Sequence, residues 1–268
     1  MPDVMDRVYT PVSLGLTCEV KFQISRHLYF RKFPNRSEAA FRLTLMGPTL
    51  GSHMFGWGLF DWQTAPLEAV CAYLERDFQG VFEREDLIVE NNEVWHQTLR
   101  TNHIHEFENI RRDGVVLPEM IDVGYPGVRR KFDRLVDKFR EHLRTPGDFL
   151  YVSTDIQPEP QVRRLIDLLQ ARSPEHRFHL LFVAFEDLDH DLSALRDTVT
   201  VAKRPRETGK SPGVIWEGND AAWDAALAPF KLSLDFGETA SAKPAAKTAD
   251  AELDTSAPRG LLGRLFGR

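Results

Sequence analysis

A chain of 268 residues with 42% apolar side chains carries enough apolar surface for one sizeable core. Its 34 Lys and Arg against 40 Asp and Glu give a net charge of -6 without a long block of one sign, which argues against nucleic acid as a partner and gives no global pull towards anionic lipid. Two cysteines, Cys18 and Cys71, are too few for a disulfide framework and read as free thiols in a reducing, cytoplasmic setting; Met1 to Thr10 carries Asp3, Asp6 and Arg7 without an apolar h-region, and no apolar run approaches the ~18 residues a membrane span needs.

Val8 to Leu16 reads as a strand ending at Gly15, with Thr17 as N-cap of a helix that runs to about Lys32 and repeats Val20, Ile24 and Leu28 on one face. The glycine-rich, aromatic stretch 47–58 reads as turns leading into Leu59-Phe60-Asp61-Trp62, a short buried strand or turn. Pro66 opens a helix whose apolar stripe is Leu67, Val70, Cys71, Leu74 and Phe78. From Asp86 to Glu108 the pattern is strand-like, with Asn91-Asn92 as a turn, and Val128 to Leu143 is the strongest amphipathic helix, stopped by Pro146-Gly147. Strands at 149–152, 178–185 and 198–202 then alternate with helices at 160–171 and 192–196, and a last helix spans 220–230. That alternation predicts an α/β fold, a mixed, partly parallel sheet flanked by helices, in which a site lies beyond the carboxyl ends of the strands. Residues 1–236 form the single domain of this reading. Residues 237–257 make a linker too poor in apolar side chains to fold, and 258–268 a short cationic amphipathic tail suited to a protein partner or a membrane surface.

Cys18 is the leading candidate nucleophile, because the unpaired N–H groups and positive dipole end of a helix N-terminus favour a thiolate and can hold an oxyanion. Cys71 sits on an apolar stripe and reads as structural. A thiol nucleophile needs a base, and His103 and His105, two apart in a strand-like segment, would project from one face either as a base or as half of a metal site; no Cys or carboxylate at ligand spacing accompanies them, and no motif calls for a cofactor. Asp61 and Asp122 are the carboxylates suited to orient that base. Asp61, between Phe60 and Trp62, needs a buried partner such as a histidine or an arginine, or else it caps the helix near Pro66. Thr208-Gly209-Lys210-Ser211 has the tail of a phosphate loop without its first glycine or its following helix, so no nucleotide is expected there. The mixed charges of the Val128–Leu143 helix read as a solvated face.

Ser13-Leu14-Gly15-Leu16-Thr17-Cys18, then Phe60-Asp61-Trp62 followed by Pro66-Leu67-Glu68, then His105-Glu106-Phe107 and the Arg129-Arg130 helix resemble the uncharacterised bacterial family DUF1796, which carries the label of papain-like cysteine peptidases. The resemblance runs from about Val12 to Val152. It implies Cys18 as nucleophile, His105 as general base, Asp61 as a site residue and Asp122 as the alternative orienting carboxylate, and it offers an α+β papain-like fold as the alternative to the α/β reading. This chain departs from papain-like enzymes in having no Gln or Asn just before Cys18 and no aromatic residue just after it. The expected function is a thiol-dependent hydrolase or acyl transferase acting on an unknown substrate. The competing readings are a non-catalytic binding or assembly protein and a carbohydrate- or nucleotide-handling transferase.

Overall fold

The computed structural model describes residues 4–46, 58–103, 105–107, 111–112 and 114–234. Most of the glycine-rich stretch, the linker and the tail lie outside the described residues. Strands β1 (Val8–Ser13), β4 (Gly147–Ser153), β5 (His176–Phe185), β6 (Val199–Arg204) and β7 (Lys231–Leu232) form one sheet in the order β6-β5-β4-β1-β7, with every neighbouring pair parallel. A separate antiparallel hairpin, β2 (Leu87–Glu90) and β3 (Glu93–His96), turns at Asn91 and Asn92, both at positive φ as a two-residue hairpin turn requires. The α/β alternation in the sequence is thus what the chain builds. The segregated α+β alternative is not, because the strands are parallel and helices cover both faces.

Strand alternation sorts the core. On one face Leu14, Phe149, Tyr151, Leu180 and Phe182 pack with helices α3 (Leu67–Glu75), α4 (Pro118–Arg144) and α5 (Glu159–Gln170). On the other, Tyr9, Leu150, Val152, Leu181 and Val183 pack with α1 (Cys18–Lys32) and α6 (Asp220–Leu227) through Val20, Ile24, Leu28, Trp223 and Leu227. The outer side of α1 carries Phe22 and Tyr29 against Phe41 of α2 (Glu38–Met46), so α1 is buried nearly all round. Charge fixes its position as well. Glu19, in its first turn, accepts from Trp223 Nε1 at 2.7 Å and pairs with Arg204 at 3.0 Å, tying α1 to α6 and β6.

Several elements differ from the sequence expectation. Helix α4 starts ten residues earlier than its apolar stripe, at Pro118, with Pro126 inside it. Pro118 at the first helical position is favourable, while Gly124, Pro126 and Gly127 weaken the helical signal that follows. The segment around His105 is a turn, not a strand. Lys210, the lysine of the phosphate-loop look-alike, is held by Glu217 at 3.0 Å and Asp220 at 2.7 Å.

Buried neutral histidines make the fold acid-sensitive. Burial pushes His103 and His142 down to about 3 and His179 to about 4, from an ordinary value of 6.5. Their folded values lie below their unfolded ones, so the stability linked to them is whole above pH 6.5 and is lost as the pH falls below it. The loss approaches about 1.4 kcal/mol per pH unit for each histidine. We expect the melting temperature to decline between pH 6.5 and 5, above the range in which ordinary carboxylates titrate; a flat profile across that window would contradict these assignments.

Candidate active site

The site begins where β1 ends. β1 is the strand at which the connection order reverses: the chain steps from it to β4, β5 and β6 on one side, and β7 returns on the other. Crevices at such reversals, beyond the carboxyl ends of parallel strands, are where α/β sheets place their ligands. Leu14 N–H still donates to Val152 O at 2.9 Å, continuing the ladder, and the chain then swings through Gly15 (φ 81°) and Leu16 (φ 71°) into α1. Glycine is required at the first of these, because a Cβ there would stand 3.1 Å from Phe60 O and 3.3 Å from Ala65 Cβ in an already left-handed conformation. Leucine at the second is a strained backbone position, of the kind that persists where the surroundings impose it. Ser13 Oγ accepts the Gly15 N–H at 3.2 Å and braces the turn. Two residues later Cys18 is the first residue of α1, with Thr17 as an N-cap in extended conformation whose side chain makes no capping bond.

His105 comes from a separate stretch of chain, beyond the hairpin. Past the hairpin the chain is pinned: His96 N–H donates to Thr101 O at 2.9 Å, Asn102 exchanges backbone bonds with Thr64, and His103 N–H donates to Val94 O at 2.8 Å. The His103 ring is buried, contacts Thr101 Oγ1 at 3.2 Å and meets the Phe82 ring edge-on at 4.8 Å. Because the chain turns immediately afterwards, His103 and His105 do not share a face: one anchors in the core and the other reaches Cys18. Cys18 Sγ and His105 Nε2 are 3.3 Å apart, and the Trp62 ring stands edge-on to the imidazole with centroids 5.9 Å apart.

The two carboxylates expected from the sequence end in different places. Asp61 is 3% exposed, and its Oδ2 takes the Lys21 Nζ at 2.9 Å and the Gly58 N–H at 2.6 Å. Its buried partner is therefore a lysine one helical turn beyond Cys18 rather than a histidine or an arginine. Asp61 does not cap α3 either, for the Leu67 N–H donates to Asp155 Oδ2 at 2.6 Å. Asp122 is corrected outright as the orienting group: on the exposed side of α4, its carboxylate pairs with Arg84 at 2.5 Å, not with His105.

The carboxylate that does accompany the dyad is Glu106. Its Oε1 lies 3.5 Å from Lys131 Nζ of α4, and its Oε2 is shielded from solvent without a hydrogen bond among the described residues. Burial raises its pKa above the usual carboxylate range, with Lys131 and His105 opposing. Sequence position was the available signal for it, since it follows His105 directly. Lys21 was signalled equally by its spacing of three from Cys18, which puts both on one helix face.

Electrostatics correct one expectation. The helix N-terminus does not make Cys18 a resting thiolate: burial first, then the negative charges of Glu106 and Asp61, push the thiol up from 9.0 to about 12. A helix terminus contributes up to about 2 kcal/mol in a partly buried site, less than the three tenfold steps of about 1.4 kcal/mol each between 9.0 and about 12, so it does not offset that rise. A protonated sulfur donates to His105 Nε2 only when the imidazole is in the tautomer with its hydrogen on Nδ1.

No protein-family model matches the chain, and no curated protein or solved structure matches it significantly. The arrangement therefore has to be read from its own chemistry. A neutral thiol beside an acceptor imidazole can pass its proton to that nitrogen as its sulfur forms a new bond. In the first turn of α1 the Val20 N–H donates to Thr17 O at 3.4 Å, while the N–H groups of Cys18 and Glu19 lie before the first full helical bond and belong to the same terminus. Among the described residues no helix is long and apolar enough to cross a membrane, and no group of three metal-ligating side chains occurs.

Proposed function

We propose that this chain is a thiol-dependent hydrolase or acyl transferase in which Cys18 is the nucleophile and His105 the general base. The observation that carries the reading is the 3.3 Å contact between Cys18 Sγ and His105 Nε2 at the carboxyl end of β1. In the first half-reaction Nε2 takes the thiol proton as sulfur bonds to the acyl carbon, and the carbonyl electron pair moves onto oxygen beside the α1 N–H groups. The carbon–leaving-group bond then breaks, and the proton on Nε2 passes to the departing atom. A water or another acceptor, deprotonated by the same Nε2, attacks the thioester in the second half, and the sulfur leaves and regains its proton. The strained turn at Leu16 and the Asp61–Lys21 pair hold Cys18 in place for this, and His103 anchors the strand end that carries His105. The motif resemblance to papain-like cysteine peptidases points to the same pair of residues.

Hydrolysis of p-nitrophenyl esters and of small thioesters, measured for the wild-type chain and for Cys18→Ala, tests the proposal. The expected result is turnover that disappears in the variant while its melting temperature stays near wild type. Equal turnover in both, or none in either across both ester and thioester donors, overturns it.

A further inference from the structure

Cys18 and His105 meet from separate stretches of chain, so the distance between sulfur and imidazole depends on whatever ties those stretches together. The four residues from Asp61 to Thr64 touch both. At one end Asp61 Oδ2 takes Lys21 Nζ at 2.9 Å, one helical turn along α1 from Cys18. At the other, the Thr64 N–H donates to Asn102 O at 3.2 Å and the Asn102 N–H returns a bond to Thr64 O at 2.9 Å, three residues before His105. Between them Gln63, 3% exposed, donates from Nε2 to Leu59 O at 2.7 Å and closes the turn. The remaining side chain is Trp62, which is half-buried. It packs against the cluster that Phe22 and Tyr29 of α1 form with Phe41 of α2, and its ring meets the His105 imidazole edge-on, with planes at 81° and centroids 5.9 Å apart. One indole therefore leans on the helix of the nucleophile and on the ring of the base.

From this bridging we infer that Trp62 is a positioning residue: seated on α1, it holds the His105 ring in the orientation that keeps Nε2 on the Cys18 sulfur. The inference rests on the proposed reading in that His105 is the base through which Trp62 acts. The outer torsion of a histidine is broad and roughly two-fold, so fixing the backbone of His105 does not by itself fix its ring. An aromatic neighbour packed edge-on restricts that torsion by contact. Because Trp62 and Cys18 are referred to the same helix, a shift of α1 carries the sulfur and the support of the base together. Proton transfer across a single hydrogen bond needs that shared frame.

Alkylation of Cys18 by iodoacetamide at pH 7 reads the pair without requiring turnover of any substrate: sulfur bonds to carbon as iodide leaves, and the thiol proton passes to Nε2. The rate is followed at Cys18 by peptide mass mapping in the wild-type chain, Trp62→Phe, Trp62→Leu, His105→Ala and the Trp62→Leu/His105→Ala double variant. Trp62→Leu is expected to slow alkylation about 10²-fold, the cost of losing about 1 Å of position, while Trp62→Phe, which keeps a ring there, recovers most of the rate. In the His105→Ala background Trp62→Leu should have no further effect, because a residue that works through the imidazole has nothing left to position. A purely structural role would slow both backgrounds alike. Independently of any variant, the wild-type chain should show a nuclear Overhauser effect between a ring proton of His105 and the Trp62 indole. Trp62→Leu reacting at the wild-type rate, equal slowing in both backgrounds, no recovery in Trp62→Phe, or absence of that Overhauser effect overturns the inference. The hydrolase proposal is read separately, by ester and thioester turnover in wild type and Cys18→Ala, so each can fail while the other stands.

Discussion

Replacing His105 by alanine is expected to slow ester turnover about 10²–10⁴-fold, the contribution of a positioned general base. The size of the effect follows from the state of the thiol. An active-site cysteine that rests as a thiolate keeps part of its reactivity when its histidine is removed, because the nucleophile is already ionised. Cys18 has no such reserve. Its burial beside Glu106 and Asp61 pushes the thiol up to about 12, so at neutral pH a base has to take the proton, and His105 Nε2 at 3.3 Å is positioned to take it. The loss should be largely recovered above pH 10, where solvent hydroxide competes with the missing base. Turnover in His105→Ala within a few-fold of wild type at pH 7 would show that the imidazole is not the base.

Asp61→Ala is expected to lower stability by about 3–5 kcal/mol, the cost of leaving a buried charge without its partner. Lys21 and Asp61 have side chains only 11% and 4% exposed, and the Gly58 N–H loses its acceptor at the same time. Lys21→Met with Asp61→Leu, which removes both charges, should restore most of the stability without restoring the shape of the crevice. Chemical denaturation of the three forms reads this directly. A single variant as stable as wild type would mean that the pair is solvated and that Asp61 has no structural role.

Asp61 was conspicuous for a sound physical reason, a carboxylate between two aromatic residues, but the identity of its partner depends on which helix passes above it. A lysine three residues after Cys18 is visible in the sequence; that it is folded inward onto a loop more than thirty residues later is not. Asp122 shows the opposite failure. A place along the chain does not specify which side of a helix faces the core. The start of α4 at Pro118, which the interrupted pattern of Gly124, Pro126 and Gly127 concealed, turns Asp122 outward to Arg84.

The fold was more legible than the site, because alternation of buried strands with amphipathic helices is a repeated signal and each segment reinforces the others. β4 and β5 read cleanly since both faces of them are covered, leaving nearly continuous apolar runs. β7, two residues long, and α2, whose nine residues lie against Phe22 and Tyr29, carry too few residues to show a period. The placement of Cys18 at the head of α1 was legible from local structure alone: a strand, a glycine, an N-cap and a cysteine. His105 was not separable from His103 by periodicity, because the turn that sends one ring into the core and the other to the sulfur is imposed by the backbone bonds of Asn102 to Thr64 and of His103 to Val94. The acidity of Cys18 was misjudged from sequence for a related reason. The helix terminus is a local feature, whereas the burial and the two carboxylates that outweigh it come from separate segments of chain.

The central claim is that sulfur and imidazole act together, with the acyl group passing through Cys18. Peptide mass mapping of the protein quenched during turnover of a slowly hydrolysed acyl donor tests it most directly. The expected result is a single acyl group on Cys18, lost on further incubation and absent in both Cys18→Ala and His105→Ala. Hydrolysis that proceeds with no acyl group on Cys18, or with the group on another residue, would contradict it.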